Sequence, residues 1–189
     1  MSTKRISKIA VSTALLNGGK LALAFVPNVE IVTTVLIVFA LVYARRDAIF
    51  ISFLFVVIEI MIYGFEWSWV LLYLVYWPLL VLAVSLLPKH KLYSIIISVA
   101  IGIAFTACFG LLSSFIEMAV TPAWGKDYFW PLVYYRYIAG IPFFVIHIVS
   151  NSIALPVLVY PLYRVLYRVD RKFDEKKVSD LDNVVDTIY

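Results

Sequence analysis

Four side chains that could do chemistry lie inside apolar stretches of this sequence: Lys20, Glu59, His147 and Asn151. His147 and Asn151 are four residues apart, a spacing that places both on one face of a helix. The familiar catalytic patterns are missing, since the sequence has no phosphate-binding loop, no His-Glu-x-x-His and no Gly-x-Ser-x-Gly. We therefore expect a binding site rather than an enzyme, with no cofactor and no metal.

The elements that hold these residues are predicted from composition. Of 189 residues, 63% are hydrophobic and only 15% are charged, against roughly 25% charged in an average soluble domain. The mean hydropathy is +0.96. These values exclude a water-soluble fold and predict an all-α integral membrane protein, because each span needs about 20 apolar residues. We expect one membrane domain over residues 1–169, a compact bundle of six transmembrane helices at about 6–26, 29–44, 48–63, 69–87, 92–118 and 141–167. A short polar cytoplasmic tail is expected over residues 170–189.

Local signals refine two of these helices. Asn28 is expected to be the N-cap of the second helix, with Glu30 in its first turn, where the helix dipole favours negative charge. The last apolar region is too long for one span, so we start that span near Ile141. Pro142 then lies in the first turn, where its missing N–H costs nothing. Residues 130–137 are left as an aromatic collar at the membrane interface.

The orientation follows from the lysine and arginine residues. With six spans, thirteen of the sixteen lie on the side of both termini, Lys126 and Arg136 lie on the other side, and Lys20 lies within the membrane. Cytoplasmic loops of membrane proteins are enriched in lysine and arginine. The pattern therefore predicts that both termini are cytoplasmic.

Costly polar groups concentrate in the outer half of this predicted bundle. Charged residues at membrane depth usually mark functional sites, so we expect a polar and aromatic pocket, open to the outside and covered by the loops at Asn28 and Trp67. The candidate substrate-binding residues are Lys20, Asn28, Glu30, Glu59, Trp67, Trp77, Arg136, His147 and Asn151.

Each candidate also has a structural interpretation. Lys20 could extend to the lipid headgroups, or it could form a structural ion pair with Glu59. His147 and Asn151 could hold helices together by hydrogen bonds. The tryptophans could form an ordinary aromatic belt. The sequence leaves these alternatives open.

Small residues follow one stripe of the first helix, at Ala10, Ala14 and Gly18. Small residues at this spacing let a second helix approach closely in lipid. If the stripe faces outward, it predicts a membrane partner at Ala10 and Ala14; otherwise it serves packing within the chain.

Residues 4–168 resemble a substrate-binding S component of an energy-coupling factor transporter. The resemblance rests on the basic start, the Ala-x-x-x-Ala first helix, the Pro-Asn-Val-Glu turn, six short spans, and a last helix from Gly140-Ile141-Pro142-Phe143 through His147 and Asn151 to Pro161-Leu162. It implies a small six-helix protein of the prokaryotic cell membrane that binds a vitamin or related micronutrient outside and delivers it inward. It also implies partners, a membrane coupling subunit and two ATPases, with Ala10 and Ala14 contacting the coupling subunit.

The aromatic content favours a flat heterocyclic ligand over a sugar or an amino acid. Lys20 or Arg136 is expected to meet an acidic or carbonyl group, Glu59 or Glu30 a hydrogen-bond donor, and His147 with Asn151 a ring edge. Flavin, pyrimidine, pterin, deazapurine and corrinoid ligands are not separated by the sequence. Two other classes stay open: a membrane adaptor of the cell-shape and wall-synthesis machinery, and a small membrane enzyme that uses His147 as a base.

Overall fold

The computed structural model describes residues 3–26 and 29–188, with side chains described as far as Lys172 in the last helix. All regular structure within these residues is helical, as the sequence predicts. This described part of the chain forms six helices: α1 (Thr3–Ala22), α2 (Val32–Val42), α3 (Arg45–Tyr63), α4 (Trp67–Ser85), α5 (Leu92–Ala119) and α6 (Phe129–Ile188).

The bundle is built around α2, the shortest helix. Ten of its eleven residues are buried, and it packs against all five other helices. Around it, α1 packs on α3, α3 on α4, α4 on α5, and α5 on α6. A helix that is apolar on every side is stable only when it is enclosed in this way, which explains why α2 lies at the centre.

The outer surface of the bundle is apolar as well. Large aliphatic and aromatic side chains are exposed along α1, α3, α4, α5 and α6, among them Leu15, Phe50, Leu79, Ile96 and Val157. Within the described residues, three helical stretches are long and apolar enough to cross a membrane: Trp67–Ser85, Leu92–Ala119 and Phe129–Lys172. Of the other three helices, α1 and α3 each carry four charged side chains, and α2 is only 11 residues long.

Ionic contacts join several helix ends at one end of the bundle, which we call the basic end. Arg5 of α1 pairs with Asp47 of α3. Lys8 Nζ lies 3.2 Å from Asp170 Oδ1 of α6. Lys89, which follows α4, donates to the carbonyl of Tyr43, which follows α2. These contacts place the start of α1 and the part of α6 around Asp170 at the same end of the bundle.

The described helix limits differ from the expected ones where capping decides them. Helix α4 begins at Trp67 because Glu66 accepts hydrogen bonds from the backbone N–H groups of Ser68 and Trp69. Hydrogen bonds from Ser68 also hold the pKa of Glu66 below its usual range. Helix α2 begins at Val32, so Glu30 precedes the helix instead of lying in its first turn.

The last helix departs most from expectation. It begins at Phe129, so Pro142 lies inside the helix and residues 130–137 form its first turns. It also continues through the segment expected to be a polar tail, so that tail is helical as far as Ile188. No glycine or proline occurs after Pro161, and lysine and glutamate are good helix formers, so nothing in that segment ends the helix.

Candidate functional site

A cavity of about 270 Å³ lies at the N-terminus of α2, and we call it the α2 cavity. Its polar lining residues are Lys20, Glu30 and His147, its aromatic lining residues are Tyr63, Tyr73, Trp77 and Phe109, and its aliphatic lining residues are Leu23, Ala24, Val26, Val29 and Val32. Lys20 is in the last turn of α1, and His147 is about 34 Å along α6 from Asp170. The cavity therefore lies away from the basic end.

The cavity exists because α2 is short. Ile37, Gly102 and Leu155 meet at one level, where a Cβ on Gly102 would lie 2.6 Å from Ile37 Cδ1 and 2.8 Å from Leu155 Cδ1. From this level α2 extends about 8 Å further, to Val32, whereas α5 extends about 26 Å, to Ala119. The longer helices around α2 therefore extend past its N-terminus and enclose a space there.

The Lys20 ammonium group is held entirely by the protein on one side of this space. It forms an ion pair with Glu59 of α3, whose side chain is 1% exposed. It also lies over the rings of Phe55, Tyr63 and Tyr73, at 5.6, 5.0 and 5.3 Å from their centroids. A cation over aromatic faces is stabilised by their quadrupoles. Of the two sequence interpretations, the Lys20–Glu59 ion pair is the one that the structure forms.

A second polar cluster forms around Glu30. Its carboxylate accepts hydrogen bonds from the Thr33 backbone N–H at 3.1 Å and from Thr33 Oγ1 at 2.5 Å, which caps the start of α2. Asn151 Nδ2 donates to Glu30 Oε1 at 3.2 Å and lies 3.3 Å from His147 Nε2. His147 Nε2 is 3.9 Å from Glu30 Oε1. His147 and Asn151 therefore both lie close to the Glu30 carboxylate, as their four-residue spacing on one helix face allows.

Aromatic rings position the imidazole. His147 stacks on Phe109 of α5, with ring centroids 5.0 Å apart and planes 15° from parallel. The neighbouring Gly110 lets α5 approach closely, since a Cβ there would lie 2.4 Å from the Phe144 ring. Along α4, Trp69, Tyr73 and Trp77 form a ladder of edge contacts at 5.6 Å each. This ladder brings Tyr73 and Trp77 to the cavity.

Several buried polar atoms beside the cavity lack a hydrogen-bond partner among the described residues. They are Trp77 Nε1, Asn151 Oδ1 and Glu59 Oε1. An unsatisfied buried donor or acceptor costs about 1–3 kcal/mol.

The structure brings most of the sequence-predicted site residues together. Lys20, Glu30, Trp77 and His147 line the cavity, whereas Glu59 and Asn151 lie behind them as hydrogen-bonding partners. Asn28 lies outside the described residues, so its expected capping role is not described either.

Trp67 and Arg136 were also predicted to bind substrate, and neither lines the α2 cavity. Trp67 is 61% exposed and packs edge-on against Phe65; it is about 15 Å along α4 from Trp77 and on another face. Arg136 pairs with Glu117 at 2.7 Å on the surface, about 16 Å along α6 from His147. The early start of α6 carries Arg136 beyond the site.

Sequence reasoning did not name Tyr73 and Phe109 among the site residues. Tyr73 precedes Trp77 by four residues, so helical spacing from that tryptophan could have found it. Phe109 has no comparable signal, because its role depends on how α5 packs against α6.

The small residues of α1 face outward. Ala10, Ala14 and Gly18 are all exposed, and no heavy atom lies within 4 Å of a Cβ built on Gly18. The stripe therefore does not serve packing within the described part of the chain.

A second cavity, of about 360 Å³, lies at the basic end, and we call it the basic groove. It is lined by His90, Tyr160, Tyr163, Arg164, Tyr167 and Arg168. His90 Nδ1 is 3.2 Å from the Tyr163 hydroxyl. His90 has a φ of 63°, in the left-handed region, which fixes the short turn between α4 and α5.

Comparison with protein-family models, with curated proteins and with solved structures finds no match to this chain. Among the described residues, no group of three or more histidine, cysteine, aspartate or glutamate side chains could hold a metal ion. The candidate site is therefore interpreted from its own geometry.

Proposed function

We propose that this chain is the substrate-binding component of an importer of the energy-coupling factor type, in a prokaryotic cell membrane. It captures a vitamin or a related heterocyclic micronutrient from outside in the α2 cavity. It then delivers that compound inward together with a membrane coupling subunit and two cytoplasmic ATPases. The chain itself supplies recognition, and its partners supply the energy.

The observation that supports this most directly is the convergence of polar side chains on one cavity. Lys20 from α1, Glu59 from α3 and the His147–Asn151 pair from α6 meet there with Glu30. Polar groups at membrane depth are costly and are usually retained for function. Concave, aromatic-lined cavities with a few polar groups are the usual sites for small organic ligands.

The apolar exterior supports a membrane location. A soluble protein rarely exposes apolar faces as extensive as those of α4, α5 and α6, whereas lipid would cover them. In this proposal α1 and α3 also span, because most of their charges lie at the basic end. The enclosed α2 needs no contact with lipid. Positive charge at the basic end assigns that end to the cytoplasm, so the α2 cavity opens outward.

Native mass spectrometry of the full chain, extracted in its own lipids, tests the binding function. We expect a single small organic compound bound one-to-one and released on denaturation. If every preparation is empty, the proposal fails and the adaptor alternative gains support.

The outward stripe of α1 provides the expected contact with the coupling subunit. We predict that Ala14→Leu abolishes uptake of the copurifying compound in cells that express the whole transporter but leaves its affinity unchanged, because the larger side chain blocks helix approach. The matched control is Ala100→Leu, an exposed alanine on α5. Equal loss of uptake in both variants, or loss of binding with Ala14→Leu, would contradict the assignment.

A further inference from the structure

We infer that the ligand of the α2 cavity is a small, flat, cationic ring compound whose positive group lies against Glu30. This inference rests on the proposed function and narrows its substrate class. It follows from the charges, the hydrogen-bond donors and the size of the cavity.

The charge balance of the cavity is negative. Lys20 pairs with Glu59 and lines the same cavity as Glu30, so one ammonium group serves two carboxylates. Glu30 also lines the cavity, and its hydrogen bonds come from neutral groups of Thr33 and Asn151. One carboxylate charge is therefore left over unless His147 carries a proton.

The contacts of Asn151 fit a neutral His147. A carboxylate only accepts hydrogen bonds, so the Asn151 atom that faces Glu30 is the amino nitrogen, which only donates. The same nitrogen lies 3.3 Å from His147 Nε2; if this contact is a hydrogen bond, Nε2 is its acceptor and carries no proton. The imidazole then holds its single proton on Nδ1, and the charge on Glu30 stays uncompensated among the described residues.

An uncompensated carboxylate beside an apolar interior favours a cation and disfavours an anion. Coulomb interactions strengthen as the effective dielectric constant falls, so the preference should exceed that of an exposed carboxylate. The aromatic lining acts in the same direction, because tyrosine and tryptophan faces attract cations. An anionic ligand would meet Glu30 with a like charge.

The rest of the lining describes the body of the ligand. Tyr73, Trp77 and Phe109 offer ring surfaces suited to stacking on a flat compound. Trp77 lines the cavity, and its Nε1 is a buried donor without a partner among the described residues. A cavity of about 270 Å³ is at the small end of ligand sites, which favours one or two rings over a flavin or corrinoid.

Three matched pyridines test the inference on the full chain in lipid nanodiscs at neutral pH. They are 3-(aminomethyl)pyridine, a cation; 3-(hydroxymethyl)pyridine, which is neutral; and pyridine-3-carboxylate, an anion. Binding is followed by thermal stabilisation at concentrations up to about 10 mM, since fragments have few atoms to contribute affinity. We expect the cation to bind about tenfold more tightly than the anion, with the neutral compound between them.

Two carboxylate variants localise the effect. E30Q keeps a side-chain oxygen that can cap α2, so it should fold, and it should remove most of the preference for the cation. E117Q changes an acid on the surface, paired with Arg136, and should keep the preference. Thermal unfolding of each variant without a probe checks that the variant is folded. The ranking of the three probes on the unsubstituted chain tests the charge preference even if a variant does not fold.

The outcomes separate this inference from the proposed function. If the anion binds as well as the cation, or if the copurifying compound is anionic, the charge inference is wrong while the binding function stands. If no pyridine binds, the net charge of the copurifying compound tests the charge inference: a cation supports it, and a neutral or anionic compound contradicts it. If no pyridine binds and nothing copurifies, the proposed function fails and this inference fails with it.

Discussion

The α2 cavity and the basic groove contain similar residue types in different settings. Both combine tyrosines, a histidine and cationic side chains. In the α2 cavity the polar groups come from several helices and are supported by buried partners, such as Asn151 at 0% exposure. In the basic groove they come from α6 and one short turn, and His90, Arg164 and Arg168 are exposed.

This difference distinguishes a buried cluster of polar groups from an exposed cluster of cations. Exposed cations near the end of a span cost little and set orientation. Buried polar groups are retained only when they satisfy one another or a ligand. In the proposed function, recognition belongs to the α2 cavity and orientation to the basic end, and most of the following predictions contrast a buried position with an exposed one.

The largest effect is expected at the buried ion pair. Lys20→Met leaves the Glu59 carboxylate uncompensated and 1% exposed, which should cost about 3–5 kcal/mol of stability. Arg136→Met breaks the exposed pair with Glu117 and should cost less than about 1 kcal/mol. Thermal unfolding in nanodiscs measures both. Similar losses would mean that burial does not set the strength of these two ion pairs, and adding Glu59→Leu to Lys20→Met should restore stability.

A smaller effect is expected where α5 and α6 approach each other. Gly110→Ala would place a methyl group 2.4 Å from the Phe144 ring, and overpacking of this kind costs about 1–3 kcal/mol. Gly18→Ala on the exposed stripe meets nothing within 4 Å and should be neutral or slightly stabilising. The same unfolding assay compares them. A neutral Gly110→Ala would show that the packing beside His147 is loose.

The two tryptophans of α4 give a matched test of ligand affinity. Trp77→Phe changes the indole that lines the cavity and removes its unpartnered Nε1 donor, so it should weaken binding of the copurifying compound by about 1–2 kcal/mol. Trp67→Phe changes an exposed residue and should leave affinity unchanged. Titration calorimetry with the purified compound measures the affinity of both variants. A larger loss of affinity with Trp67→Phe would indicate that the compound binds at the loop before α4.

The smallest effect is expected at Glu66. Because its folded pKa is lowered by Ser68, its contribution to stability is full above the unfolded pKa and disappears as the pH falls through the folded pKa. Glu66→Ala should therefore cost no more than about 1 kcal/mol at neutral pH and nothing in strong acid. Unfolding curves of both proteins across this acidic range should converge. A constant difference would exclude the carboxylate as the cause.

Much of the architecture follows from apolar runs and helix spacing. The all-helical fold, the shared face of His147 and Asn151, and the pairing of Lys20 with Glu59 were all within reach of the sequence. The true length of α2 was not, because its start depends on Glu30 capping Thr33. The sequence therefore could not predict the cavity, which forms because α2 is shorter than the helices around it.

Trp67 and Arg136 lie outside the lining of the α2 cavity for one physical reason. Each residue was placed by its approximate depth, although the lining of a cavity also depends on the helix face and on the distance along the helix. Trp67 differs from Trp77 in both, and Arg136 lies about 16 Å along α6 from His147. Contacts between helices distant in sequence, such as Phe109 on His147, cannot be read from periodicity.

The most direct test is cysteine labelling of the two cavities in intact cells, in a Cys108→Ser background. Val29→Cys places a thiol in the lining of the α2 cavity, and Arg168→Cys places one in the basic groove. We predict that a membrane-impermeant maleimide labels Val29→Cys from outside, with protection by the bound compound, and labels Arg168→Cys only after permeabilisation. Labelling of Arg168→Cys in intact cells, with Val29→Cys accessible only from inside, would contradict the account.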